Sequence, residues 1–195
     1  MNLICKKLEY SLYQKIKINK NIFELIKKNI PNTFFSVLSF SFFSYVVQKK
    51  IIDVFFIKKN NKLVSILTFI KAKNLKNLKK YMFIFFLTNP FTFLSHLIFI
   101  IKSISRVSID LFNKSNYLHL LHLIIFKNNF KKIRLKTKDN VFNFFFKKIL
   151  EKYNAKNIFL CYGKENKKAQ NFYKRNNFKT YFQNKEIVFV TKKIR

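Results

Sequence analysis

Between Asn21 and Lys28 the apolar residues Ile22, Leu25 and Ile26 recur at helical spacing. Pro31 stops the segment, because the residue before a proline is pushed out of helical geometry. The spacing predicts a short helix over Asn21–Lys28. Thr33 is placed to cap a second helix, whose broad apolar face runs through Phe34, Val37, Leu38, Phe42 and Val46. Two β-branched and aromatic runs follow, Ile51–Ile57 and Leu63–Ile70, separated by a cluster of lysines and asparagines. That is the pattern of an antiparallel hairpin.

Tyr81–Ile101 carries no charged side chain and is long enough to cross a bilayer, which takes about 20 residues. Asn89 and Pro90 interrupt it, however, and Thr88, Thr92, Ser95 and His96 fall at helical spacing as a polar stripe. A buried or surface-lying helical hairpin explains the stripe better than a membrane span does. Beyond it, Tyr117–Phe126 is apolar nearly throughout, as expected of a strand covered on both faces. The pattern then predicts a helix over Asp139–Tyr153, a strand over Asn157–Tyr162 and a helix over Asn166–Arg175. Two closing strands follow, Lys179–Gln183 and Ile187–Thr191. Internal repeats and flexible linkers are absent from the sequence.

Composition changes this picture in two ways. The 195 residues, 49% of them hydrophobic, suit one domain with a full core. The excess of 40 Lys and Arg over 8 Asp and Glu, a net +32, points towards an anionic partner: nucleic acid, a membrane surface or a phosphorylated ligand. Lysine, asparagine, isoleucine and phenylalanine are inflated together while glycine falls to 1 and tryptophan to 0, as a drift towards AT-rich codons produces. Part of the charge is therefore compositional. Cys5 and Cys161 stand far apart, with no zinc spacing, so neither a disulfide framework nor a metal is expected. The first thirty residues carry lysines throughout and do not read as a signal peptide, so a cytoplasmic protein is expected, with membrane association possible through Tyr81–Ile101. Triads of Ser, His and Asp, paired carboxylates, Walker loops and dinucleotide fingerprints are all missing, which disfavours hydrolases and kinases.

One segment is specific. Asn166–Phe178, NKKAQNFYKRNNF, spans the last predicted helix and the turn after it and carries Asn166, Ala169, Phe172, Tyr173 and Phe178. This resembles the signature of the GNAT superfamily of acyl-CoA-dependent N-acyltransferases: Asn after the fifth strand, Ala three residues on, an aromatic or Leu followed by Tyr, then Gly and Phe. Asn177 stands where the family has glycine, at a helix end needing a left-handed backbone, and asparagine tolerates that conformation best among the other residues. The paired N-terminal helices and the hairpin also match the family. The resemblance thus covers Asn21 to the C-terminus and implies one domain over residues 1–195. The fold class is α/β (α+β), a mixed, mostly antiparallel central sheet flanked by helices, with a hydrophobic helical insertion at about residues 75–106.

The resemblance implies acetyl-CoA as co-substrate and a primary amine as acceptor. It places the donor of a proton to the departing thiolate at Tyr173, and puts Asn166, Ala169 and Phe172 beside the cofactor. The backbone of Leu123, Ile124 and Ile125 would pair with the pantetheine amides. The family's phosphate loop aligns Arg134, Thr137 and Asp139 with its pattern, followed by Asn140, and both glycines are gone. A register three residues earlier uses Lys131 and Arg134 and has no glycine either. Lys131, Lys132 and Arg134 offer charge in place of the lost close approach. His119 and His122 are the candidate general bases; three apart in a regular strand, they should face opposite sides.

Three functions remain open at this point. The first is an N-acetyltransferase acting on a small amine, such as an amino sugar, or on a protein, with an acidic or phosphorylated acceptor suiting the charge. The second is a catalytically impaired protein of the same fold that binds RNA or an anionic membrane. The third is a protein anchored through Tyr81–Ile101. A monomer or a homodimer fits each of them.

Overall fold

The helices begin where short polar side chains can close them. Asn19 accepts from the Ile22 amide at 3.0 Å to start α1 (Lys20–Asn29), and Ser39 accepts from the Phe42 amide at 3.2 Å to start α2 (Phe40–Gln48). A computed structural model describes residues 2–5, 10–15, 17–30, 39–72, 117–126 and 135–193, with single positions at 74, 77, 78, 80, 81, 84 and 87; for 2–5 and 135–140 it describes the backbone alone. Thr33 and most of Tyr81–Ile101 lie outside the described residues, and so does the larger part of the expected insertion. Among the described residues no helix is long and apolar enough to cross a membrane.

Eight strands form one sheet, in the order β1-β2-β3-β4-β5-β6-β8-β7. They are β1 (Asn2–Cys5), β2 (Tyr10–Lys15), β3 (Ile52–Lys59), β4 (Lys62–Lys71), β5 (Tyr117–Ile125), β6 (Asn157–Gly163), β7 (Lys179–Gln183) and β8 (Ile187–Lys193). All neighbours are antiparallel except β5 and β6, which run parallel. The mixed, mostly antiparallel sheet flanked by helices is the expected one. The pair β1 and β2 was not expected, although Tyr10 and Leu12 alternate inward in β2. The β3–β4 hairpin turns on Asn60 and Asn61, both at positive φ (47° and 61°), so two asparagines fill the positions of a turn that favours glycine.

Helix α3 (Leu135–Tyr153) crosses one face. Its Phe142, Phe145, Phe146 and Ile149 are fully buried against a core that includes Phe55, Phe69, Leu120, Ile158 and Val190. Helix α4 (Lys167–Arg175) joins the same side through Tyr173 and Phe172. On the opposite face α1 and α2 bury Phe23, Ile26, Phe42 and Val46 over Val54, Phe56, Ile66 and Ile70. At the far end of α3, Gln14 of β2 donates to Asp53 at 2.6 Å and accepts from Lys152, tying the unexpected strand to the helix.

Candidate active site

The parallel pair in the middle of the sheet opens into a wedge. β5 and β6 are in register for Tyr117↔Asn157, Leu118↔Ile158 and His119↔Phe159, and there the pairing ends. β5 runs on to Ile125 and stays laddered to β4, while β6 runs on to Gly163 and stays laddered to β8. Leu120–Ile125 and Leu160–Gly163 therefore form the two walls of a cleft whose apex is the last shared pair. Main-chain groups along such walls need partners other than each other.

A bulge in β5 sets what the wall presents. Phe69 pairs with Leu120 and Thr68 with His122, so Leu121 is the extra residue. Because His119 pairs with Ile70 and His122 with Thr68, two positions on one face of β4, both imidazoles project on the α1–α2 side. This corrects the expectation that they face opposite sides: that rule holds for a regular strand, and the bulge shifts the alternation by one. Thr68 Oγ1 lies 2.7 Å from His122 Nδ1, and His119 meets the Phe159 ring edge-on at 5.3 Å. Burial holds both below the usual 6.5, His119 at about 4 and His122 at about 3.

The β6 wall leads straight into α4. Asn166 caps the helix, its side chain accepting from the Ala169 amide at 3.0 Å. Tyr173, one face of the helix further on, stacks on Tyr162 of β6 with ring centroids 5.6 Å apart and 23° between planes. Burial, then the neighbouring Cys161 and Tyr162, push the Tyr173 phenol well above its ordinary value, so it stays protonated. Cys161 is open to solvent, yet enough protein surrounds it that desolvation pushes its thiol up to about 11. The helix ends at Asn177, at φ 59°, with Phe178 N donating to Tyr173 O at 3.0 Å, as the replacement of glycine by asparagine led one to expect.

The remaining expected residues divide. Leu123 and Ile125 of the β5 wall pack on the α3 side and Ile124 on the other. Ala169 and Phe172 are half-buried, Phe172 meeting Phe142 edge-on at 5.3 Å. Lys131, Lys132 and Arg134 lie outside the described residues. Thr137, Asp139 and Asn140 fall inside α3, which starts at Leu135, four residues ahead of the expected Asp139. Tyr162 and Gly163 were not singled out in advance. A tyrosine and the chain's one glycine, just before the Asn166 motif, were the available signal. Among the described residues no group of three His, Cys, Asp or Glu is placed to hold a metal.

Neither a family profile nor a curated protein sequence matches the chain. Solved structures do, across nearly its whole length. The N-acetyltransferase PseH of Campylobacter jejuni, in complex with acetyl coenzyme A, aligns with a TM-score of 0.53 at 14% identity, over 94% of this chain and 98% of that one. A Bacillus subtilis acetyltransferase in complex with CoA gives 0.54 at 9% identity, over 94% and 98%. RimL, a ribosomal L7/L12 alpha-N-protein acetyltransferase, gives 0.51 at 8% identity, over 95% and 94%. The chain has the GNAT fold. In this GNAT fold the Asn166–Phe178 motif caps, forms and ends α4, so the residues that carried the resemblance follow directly on the β6 wall and pack Tyr173 against its Tyr162.

Proposed function

We propose that this GNAT-fold chain is an N-acetyltransferase that moves the acetyl group of acetyl-CoA to a primary amine of a small molecule or a protein. The observation that carries the proposal is the wedge between β5 and β6, with a protonated tyrosine beside one wall. The pantetheine arm pairs with the backbone of Leu123–Ile125, as a third strand would. The phosphates sit at the N-terminus of α3, whose first amides have no intrahelical partner. A helix start at Leu135 supports the earlier loop register, in which Lys131, Lys132 and Arg134 precede those amides. It also moves Asp139 a turn into the helix, away from the phosphates.

In the reaction the amine nitrogen attacks the thioester carbonyl. The C–N bond forms, the C–S bond breaks, and Tyr173 gives its proton to the departing thiolate. The proton lost by the amine goes to water at the open mouth. His119 and His122, held near 4 and 3, stay neutral at pH 7 but are too weakly basic to keep it. Cofactor and acceptor meet by orientation, since the wedge holds the thioester in place for the amine.

Calorimetric titration with acetyl-CoA and with CoA tests this first. Micromolar binding that weakens when Lys131, Lys132 and Arg134 are replaced together, followed by thiol release on adding an amine, is the expected result. Absence of binding at millimolar cofactor would sink it. The exposed cations Lys167, Lys168, Lys174 and Arg175 along α4 support the second reading, a non-catalytic binder of RNA or an anionic membrane, whose mark is binding lost steeply with salt.

A further inference from the structure

Glycine occurs once in this chain, at position 163. Its backbone does not demand it. The described positive-φ positions are Lys50, Asn60, Asn61, Asn154 and Asn177, and Gly163 is not among them. The protein thus uses asparagine where turns favour glycine, and keeps glycine where the dihedrals would accept any residue. Space is what remains. A Cβ at position 163 would lie 2.1 Å from Glu165 Oε1, 2.8 Å from its Cδ and 3.0 Å from its Oε2, so the Glu165 carboxylate rests on the bare backbone of β6.

The place matters. Gly163 alternates with Phe159 and Cys161 and so faces away from α3. The carboxylate therefore sits at the wide end of the wedge, across the sheet from the helix terminus assigned to the phosphates. It is on the opposite face of β6 from the Tyr162 ring, which stacks on Tyr173 on the α3 side. Lys164, Lys167 and Lys168 flank Glu165 in sequence, yet among the described residues it forms no ion pair. In a chain with 8 acids against 40 bases, an exposed carboxylate with no ion pair among the described residues is open to a cation from outside.

We propose that Glu165 binds an ammonium group of the acceptor other than the reacting nitrogen, which loses its proton to water and attacks as the free amine, and that Gly163 gives the carboxylate its place. This rests on the acetyltransferase reading and narrows it. The acceptor belongs to the polyamine class, carries no phosphate near the reacting nitrogen, and is chosen by local charge against the protein's overall sign. An alkylamine, with a pKa near that of lysine at about 10.4, arrives protonated at pH 7, and a carboxylate at the mouth concentrates it there.

Two variants test this separately from the fold. Glu165→Gln removes the charge. Gly163→Ala keeps it but evicts it, and because the obstructing atoms are the end of a flexible side chain, the strand need not move. Both should raise KM for spermidine by about tenfold, the worth of one charge-assisted contact, with acetyl-CoA affinity, kcat and melting temperature little changed. Glucosamine 6-phosphate should be the poorer acceptor for the wild type. Spermidine binding is also measured without acetyl-CoA. If the wild type turns over no amine, the acetyltransferase reading falls, while loss of spermidine binding in both variants still supports the cation seat. Equal spermidine KM or equal binding in wild type and Glu165→Gln, or a preference for the phosphorylated amine, overturns it.

Discussion

β5 has two edges, and they behave differently. Towards β4 it is laddered from Lys71↔Leu118 to Ser65↔Ile125 despite a bulge; towards β6 it pairs three times and stops. The residues are the same, so strand propensity does not make the wedge. What differs is the neighbour: β6 is held by β8 along all of Asn157–Gly163, and β8 in turn by β7. Each wall belongs to its own half-sheet, and the halves diverge where neither needs the other. The cleft costs only the hydrogen bonds the two facing edges would have made to each other, since each half keeps its own ladder.

If that is right, something must hold the halves together besides three shared pairs, and α3 is the candidate. Phe146 is fully buried, meeting Phe69 of β4 edge-on at 6.4 Å and Phe178, beyond α4, at 6.0 Å. Phe146→Ala should cost about 3–5 kcal/mol and lower both halves in one transition. Denaturant unfolding followed at probes in each half checks this, and two separated transitions would show that α3 is not the clasp.

The histidines sharpen the contrast from the β5 side. Folded, they titrate at about 4 and about 3; free, at 6.5. Between those values the unfolded chain binds protons that the folded one refuses. Their contribution is therefore complete above pH 6.5 and lost as pH falls. By pH 5.5 the two together should have cost about 3 kcal/mol. Denaturant titrations at pH 7.5 and 5.5 measure it, and His119→Gln should halve the difference. An unchanged midpoint between the two pH values would mean that the pair does not control acid stability.

Tyr173 sharpens the same contrast from the β6 side, in rate rather than stability. Its hydroxyl has no hydrogen-bond partner among the described residues, so Tyr173→Phe should leave the melting temperature nearly unchanged. If it is the proton donor, kcat should drop about a hundredfold with acetyl-CoA affinity intact. Equal loss of cofactor binding would instead make it a packing residue.

The half-sheets also differ in how legible they were. From Asn157 onwards every element stood where periodicity put it, because capping, motif and turn chemistry agree there: Asn166 caps, Asn177 turns, Phe178 packs. Before that point α1, β3, β4 and β5 also stood where the pattern put them, and the signals failed only at β1, β2 and the start of α3. β2 shows two inward residues in a lysine-rich stretch, too few to outweigh its flanks. The start of α3 was misplaced because Lys136 and Lys138 look like loop when charge is abundant everywhere. The shared face of the histidines could not be seen at all, since a bulge is a relation between strands and leaves no mark in β5 alone. Gly163 was visible, but its meaning lay in the position of the Glu165 carboxylate.

The finest test of one body against two uses the asparagines that stand in for glycine. Asn61, at φ 61°, turns the β3–β4 hairpin; Asn177, at φ 59°, ends α4 on the other side of the wedge. Glycine relieves the left-handed strain that asparagine only softens, although it adds freedom to the unfolded chain, so Asn61→Gly and Asn177→Gly should each gain less than about 1 kcal/mol. Their meaning lies in addition. If the half-sheets unfold as one unit, the double variant gains the sum of the singles at either probe, because distant sites in one cooperative structure add. If they unfold separately, Asn61→Gly moves only the transition of β1–β5 and Asn177→Gly only that of β6–β8. The wedge would then be a hinge between two bodies and not a cleft within one.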